Sequence, residues 1–473
     1  MAEPAEPAEP PLDIPRHLKY WKMCLAPLPH HYLPNEGNRL ALAYFIVNSI
    51  VILTPPETPA SQQLIPPRDR HKIRQWVLSH QHPGGGFCPS SSLVFPLHGY
   101  EQWERETGKE QQQESSSGMA NIPGTIFALQ LLALMADEND PEGAFNGVDR
   151  VQTLRWLRRL QRPDGSFGEV LKQIPGKGWE ILGGYDMRYC YIAASIRWML
   201  RGDVASQDDK GWVEDFDVDG LKRYILRSQT YDGGFAASSE EEPHAGYAYC
   251  AISALSLLDR PLETGEKPHE SEILNSGLRD MPGLVHWLAS RQFVYIEPTA
   301  PSSDDQDSES EEEEDVVNFL LPSKPSPSAE SPLVASNGRT NKVADTCYSW
   351  WVGAALANLT KTELFNWKAT RRFLVEKMAH RIGGFSKYPG GPPDVYHSCF
   401  GLTAMAVMAE PGLRALDSAL AVPVDTVKVI QKARGKLLRT ARTSTTAKSL
   451  VEMGLTMRGD DGKRPIWLSI GGH

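Results

Sequence analysis

The chain has 473 residues, 41% hydrophobic and 23% charged, the proportions of a globular protein with a sizeable core rather than a fibrous or disordered one. Its formal net charge of −10 is concentrated: Asp304, Asp305, Asp307, Glu309, Glu311 to Glu314 and Asp315 carry nine negative charges with no Lys or Arg among them, and without these the body stands at −1. A nearly neutral body excludes the basic face of a nucleic-acid binder, and the most apolar stretch, Leu40 to Leu53, is too short to span a bilayer.

In chain order, MAEPAEPAEPP opens an acidic, Pro-rich tail, expected to be disordered over 1–15 and lacking the apolar segment of a secretory signal. Leu40 to Leu53, which includes Asn48 and Ser49, reads as a buried core helix. Next come three copies of one unit, a helical segment ending in Gln and a Gly-rich turn closed by Phe: Gln81 to Phe87, Gln161 to Phe167 and Gln229 to Phe235. A fourth copy starts at Gln292 but is interrupted, and a fifth, HRIGGF, ends at Phe385 without the Gln. Each turn is followed, after a variable loop, by an apolar helix rich in Ala, Gly and Ser, such as YCYIAASIRWML or CYSWWVGAAL. Repeated helix–turn–helix units of this size indicate a repeat architecture. The small-residue helices suit a crowded inner ring, and Arg-bearing segments such as VQTLRWLRRLQ suit an outer one. The expected fold is therefore all-α, an α–α barrel running from residue 16 to 473, with an open helical solenoid as the alternative.

Between the fourth and fifth copies, residues 298–338 are first acidic and then rich in Pro and Ser. Such a segment buries too little apolar surface to offset its ordering entropy and is expected to be a disordered insertion. The six cysteines, Cys24, Cys88, Cys190, Cys250, Cys347 and Cys399, have no pairing-like spacing, which indicates a reducing, cytoplasmic setting.

If the inner helices start at one rim, the polar segments at those starts converge: DMR (Asp186 to Arg188), PHAGY (Pro243 to Tyr247), ADTCY (Ala344 to Tyr348) and PDVYH (Pro393 to His397). Asp345 and Cys347 with His397 from the next unit would make a three-ligand set of the catalytic-zinc kind. By spacing alone, an N-cap Asp and a core Cys explain the same residues. Arg339, Lys342, Lys387, Arg188, His244 and the Tyr348 hydroxyl form a group of donors suited to a diphosphate, helped by helix N-termini; singly, the cations also read as solvated loop residues. Aromatics such as Trp351 line an apolar cavity or belong to plain core.

The repeat turns, ADTCYSWWVGA and GGFSKYPGGPPDVYH followed by SCFGL, resemble the β subunits of protein prenyltransferases, from about His17 to Pro411. The resemblance implies an α–α barrel, a helical α subunit as obligate partner, and transfer of an isoprenoid to the cysteine of C-a-a-X proteins such as Rho-type small GTPases. It implies zinc on Asp345, Cys347 and His397, and a diphosphate site at His244, Arg339, Lys342 and Tyr348. It also implies substrate contacts at Arg188 near the peptide carboxylate, and at Ala41, Phe45 and Trp351 in the isoprenoid cavity. Within the family, farnesyl enzymes carry Trp where this chain has Ala41 and Asp where it has Lys387. Both differences point to the type I geranylgeranyl enzymes and geranylgeranyl diphosphate, with the lysine ammonium replacing magnesium. Tyr396, beside His397, instead resembles the farnesyl enzymes near the peptide's last residue. A farnesyl-transferring β subunit, a terpene cyclase and a non-catalytic barrel are the competing expectations.

Overall fold

Fourteen α-helices dominate the computed structural model, which describes residues 11–26, 28–32, 34–90, 119–174, 178–202, 211–261, 272–297 and 332–443. They are α1 Ile14–Leu25, α2 Arg39–Ile52, α3 Pro67–Leu78, α4 Ile122–Leu134, α5 Arg150–Arg159, α6 Met187–Leu200, α7 Val218–Ser228, α8 Ala245–Asp259, α9 Glu272–Ser276, α10 Met281–Ala289, α11 Thr346–Asn358, α12 Trp367–Phe373, α13 Val395–Val407 and α14 Val424–Thr443. The apolar segments become an inner ring of α2, α4, α6, α8, α11 and α13. Each packs on the next, and α13 returns against α2, which closes the ring and excludes an open solenoid.

Burial follows composition. In α4 every residue is buried except Pro123 and Phe127, as expected of a helix that is apolar on all sides. The outer helix α5 buries Leu154, Trp156 and Leu157 and leaves Arg155, Arg158 and Arg159 in solvent.

The repeat Gln is a clamp. Gln161 donates to the Asp217 carbonyl and accepts from the Asp217 N–H, both at 2.7 Å, and Asp217 is the N-cap of α7. Gln81 accepts from Asp149, Gln229 from Asp280 and Gln292 from Asn366, the N-caps of α5, α10 and α12. Each repeat thus fixes the start of the next outer helix, and the copy at Gln292 does so despite its interruption. The turn glycine permits the approach: a Cβ on Gly165, at φ +94°, would lie 2.0 Å from the Gly220 carbonyl oxygen in α7. In HRIGGF the neighbouring outer helix is α1, and there His17 Nδ1 accepts from Gly384 N–H at 3.1 Å while its ring stacks on Phe385.

Two short ribbons were not foreseen. β1 Val170–Ile174 pairs with β2 Gly178–Leu182, and β3 Gln292–Val294 pairs antiparallel with β4 Val334–Ser336. β4 falls inside the expected insertion 298–338 and is buried, so the insertion's C-terminal boundary must be moved earlier; 298–331 lies outside the described residues. The expected tail 1–15 also ends sooner, because Asp13 caps α1 through Arg16 N–H; residues 1–10 and 444–473 lie outside the described ones. The loop between Leu416 and Pro423 fills one end of the barrel, and α14 packs across α4 and α6 beside it.

Candidate active site

The inner helices begin with polar caps: Asn121 on α4, Asp186 on α6, His244 on α8, Asp345 on α11 and Asp394 on α13, each side chain accepting from its own helix's first-turn backbone. Backbone bonds tie adjacent starts together. Thr346 N–H donates to the Lys387 carbonyl, and Ala245 N–H to Gly338, in the loop that leads into α11. The caps therefore share a rim.

At that rim a carboxylate oxygen of Asp345, the Cys347 sulfur and an imidazole nitrogen of His397 all lie within 4.8 Å of one another. Tetrahedral zinc with N, O and S ligands needs ligand separations of roughly 3.3–3.8 Å, so small side-chain movements suffice. The imidazole is already aimed. His397 Nδ1 is 2.6 Å from Asp394 Oδ2, and Nε2 is 3.3 Å from Asp345 Oδ1. A carboxylate on the far ring nitrogen is the usual outer support of a metal-binding histidine. Burial would depress the His397 pKa, but the hydrogen bonds its ring donates to the Asp345 and Asp394 carboxylates outweigh this and hold it at about 9. Burial pushes the Cys347 thiol well above its ordinary value. The cap reading of Asp345 and the ligand reading are compatible: Oδ1 accepts from Cys347 N–H at 2.8 Å, which positions the sulfur beside the carboxylate. The sequence analysis placed Asp394 at the rim within PDVYH but gave it no role of its own; its signal is an acid three residues before His397 at a helix start.

Next to this group, His244 Nδ1 accepts from Gly246 N–H, and Nε2 lies 3.0 Å from the Tyr348 oxygen. Burial, reinforced by the charges of Arg339 and Arg188, lowers the His244 pKa to about 4. The ring is therefore neutral, carries its proton on Nε2 and donates to Tyr348, which leaves the phenol hydrogen to point elsewhere. The Arg339 guanidinium contacts Glu242 at 2.8 Å, and Lys342 and Lys387 are exposed. Arg188 is held by Asp186 through three contacts of 2.6–3.0 Å, so its charge is largely neutralised.

Below the rim, Ala41 and Phe45 are the half-exposed positions of the otherwise buried Leu40–Ile50 stretch, one turn apart. Phe45 contacts Phe127, Tyr396 and Phe400 at 5.7–5.8 Å, and Phe400 meets Trp351 at 4.7 Å. Rings from α2, α4, α11 and α13 thus form one aromatic wall. Sequence reasoning found Phe45, Trp351 and Tyr396 but not Phe127 or Phe400.

Residues 12–422 match the prenyltransferase alpha-alpha toroid domain. The chain belongs to this family. Among curated proteins it is similar to the geranylgeranyl transferase type-1 subunit beta of Arabidopsis thaliana, 29% identical over 86% of this chain and 88% of the relative. The Dictyostelium discoideum protein of the same name is 25% identical over 84% and 91%. Among solved structures, Candida albicans protein geranylgeranyltransferase-I, complexed with GGPP, aligns with a TM-score of 0.64 at 22% identity, over 90% of this chain and all of that one. That likeness establishes the toroid fold. No helix among the described residues is long and apolar enough to cross a membrane.

Proposed function

We propose that this prenyltransferase toroid is the catalytic β subunit of a type I protein geranylgeranyltransferase, working with a helical α subunit. It would join geranylgeranyl to the cysteine of proteins ending in C-a-a-X. The observation that carries the reading is the meeting of Asp345, Cys347 and His397 within 4.8 Å at the rim of an aromatic-walled barrel. Zinc fits this donor set of one carboxylate, one thiolate and one imidazole; when bound it lowers the pKa of a substrate thiol so that thiolate forms near neutral pH.

The chain's own residues do the rest. Tyr348, its oxygen held by His244, donates its free hydrogen to the diphosphate, and Arg339, Lys342 and Lys387 supply positive charge as negative charge gathers on the leaving group. The substrate sulfur bonds to the first isoprenoid carbon, and the carbon–oxygen bond to diphosphate breaks. The aromatic wall keeps water from the allylic carbon. Ala41, in place of an indole, leaves room for a geranylgeranyl tail, and the Lys387 ammonium takes the place of magnesium.

The test is prenyl transfer by the purified heterodimer to a peptide ending C-a-a-Leu, with labelled geranylgeranyl and farnesyl diphosphates competing and no magnesium added. Geranylgeranyl product is expected, and Lys387→Asp is expected to make turnover depend on magnesium. Preferential farnesyl transfer, or no transfer until magnesium is added, would overturn the assignment.

A further inference from the structure

The loop that carries Arg339 and Lys342 is fixed from behind by bonds that do not involve the Arg339 side chain. Ala245 N–H donates to the Gly338 carbonyl at 2.8 Å, which ties the loop to the start of α8. Asn337, itself buried, donates from Nδ2 to the Lys342 carbonyl at 2.8 Å and closes the loop on itself. Beneath lies Arg291, 5% exposed and stacked on Trp287, whose guanidinium donates to Thr340 Oγ1 at 3.0 Å. Gly338 sits so close to Tyr348 that a Cβ there would be 2.1 Å from the ring. The backbone of residues 337–342 is therefore set before any ligand arrives, the arrangement that spares reorganisation when negative charge appears.

The Arg339 guanidinium is held differently. Its Nη1 meets Glu242 Oε2 at 2.8 Å, and the two side chains are 42% and 54% exposed. Glu242 stands two residues before His244, so its carboxylate borders the rim that His244 and Tyr348 form. It brings a negative charge to a place whose neighbours, Lys342, Lys387 and the Tyr348 hydroxyl, suit an anion. A carboxylate in that position does not bind diphosphate; it competes with diphosphate for Arg339. An ion pair this exposed is weak. A diphosphate, with more charge and more oxygens, displaces the carboxylate, which then turns to water.

We propose that Glu242 is an internal rival of the diphosphate: it holds Arg339 in the empty site, yields it when the isoprenoid diphosphate binds and takes it back as inorganic diphosphate leaves. This deepens the transferase reading and rests on it, since an enzyme that sheds diphosphate in every cycle is the one served by a built-in competitor. Because the loop backbone is anchored without Glu242, removing the carboxylate frees the guanidinium and leaves the loop in place.

The test is calorimetric titration of the purified enzyme with inorganic diphosphate, beside the KM for geranylgeranyl diphosphate with one C-a-a-Leu peptide. Glu242→Gln keeps the side chain's length, removes its charge and changes an exposed position that the fold does not depend on. The Kd for inorganic diphosphate and the KM should both fall about fivefold, the upper end of what an exposed ion pair contributes. In an Arg339→Gln background the same change should alter Kd by less than about twofold, because the two side chains act on one another. An unchanged or raised Kd in Glu242→Gln overturns the rivalry while the transferase assignment stands. So does an equal fall in both backgrounds, which makes Glu242 a general negative charge near the site and not a partner of Arg339. A wild-type enzyme that transfers no geranylgeranyl overturns the assignment, and the role of Glu242 with it.

Discussion

Asp394 is the most informative residue to perturb, because it does two separable things. Its Oδ2 holds His397 Nδ1 at 2.6 Å, and its Oδ1 accepts from His397 N–H at 2.8 Å as the cap of α13. Asp394→Asn retains a cap acceptor but removes the charge that orients and enriches the imidazole; Asp394→Ala removes both. Loss of such an outer partner lowers metal affinity about 10–100-fold, which is about 1.4–2.7 kcal/mol. The charge-assisted bond is short and the ring is mostly buried, so about tenfold is expected for Asn and about a hundredfold for Ala. Cap loss adds about 1 kcal/mol of destabilisation in Ala alone. Chelator competition on the purified protein reads zinc affinity, and thermal melting of the metal-free protein reads the cap. Wild-type zinc affinity in Asp394→Ala would refute the argument that this carboxylate positions His397.

Other predictions concern the scaffold. His17 is 2% exposed, and burial pushes its pKa down to about 4. The unfolded chain, with an ordinary histidine near 6.5, therefore takes up the proton first. Stability should be complete above pH 6.5 and fall by about 3 kcal/mol as pH drops towards 4; His17→Gln should flatten that slope in urea titrations across the range. Arg371 grips Glu410 at 2.6 and 2.7 Å, and the Glu410 side chain is 2% exposed. Arg371→Ala should cost about 3–5 kcal/mol by stranding that charge, and Glu410→Gln in the same chain should recover much of it; melting of the two variants checks this. Gln229→Ala removes a fully buried clamp that accepts from Arg279 and Asp280 and donates to Asp280. A loss of about 2–3 kcal/mol is expected, larger than for Gln161→Ala, whose bonds lie nearer solvent.

The fold was legible because one structural problem is solved repeatedly with the same residues. A Gln to clamp the next helix cap, a Gly to let two backbones approach and a Phe to fill the gap recur at a spacing that sequence displays. The Asp345, Cys347 and His397 group, which could hold a metal ion, was legible only in part. Asp345 and Cys347 look like an N-cap and a core thiol because Asp345 is an N-cap; His397, fifty residues on, gains meaning only when α13 lies beside α11. The role of Asp394 was missed for the same reason, since its cap function hides its outer one. β4 was hidden by its neighbours: Val334–Ser336 follow a Pro- and Ser-rich run, and their partners Gln292–Val294 lie some forty residues earlier. Partners of the cationic side chains were also invisible. Nothing in the spacing reveals that Arg339 meets Glu242 or that Arg188 is bound by Asp186.

The seam where α1 meets the HRIGGF turn has a kinetic consequence. His17 reaches Gly384 across 367 positions of the chain, whereas the glutamine clamps join elements fifty to seventy-five residues apart. Loop-closure entropy makes so distant a contact a late event. During synthesis the first helices must wait, with their apolar faces open, until the last pair leaves the ribosome. A nascent chain of this design needs shelter for most of its translation, and cutting it short anywhere before α13 leaves a crescent with two unsatisfied edges rather than a smaller barrel.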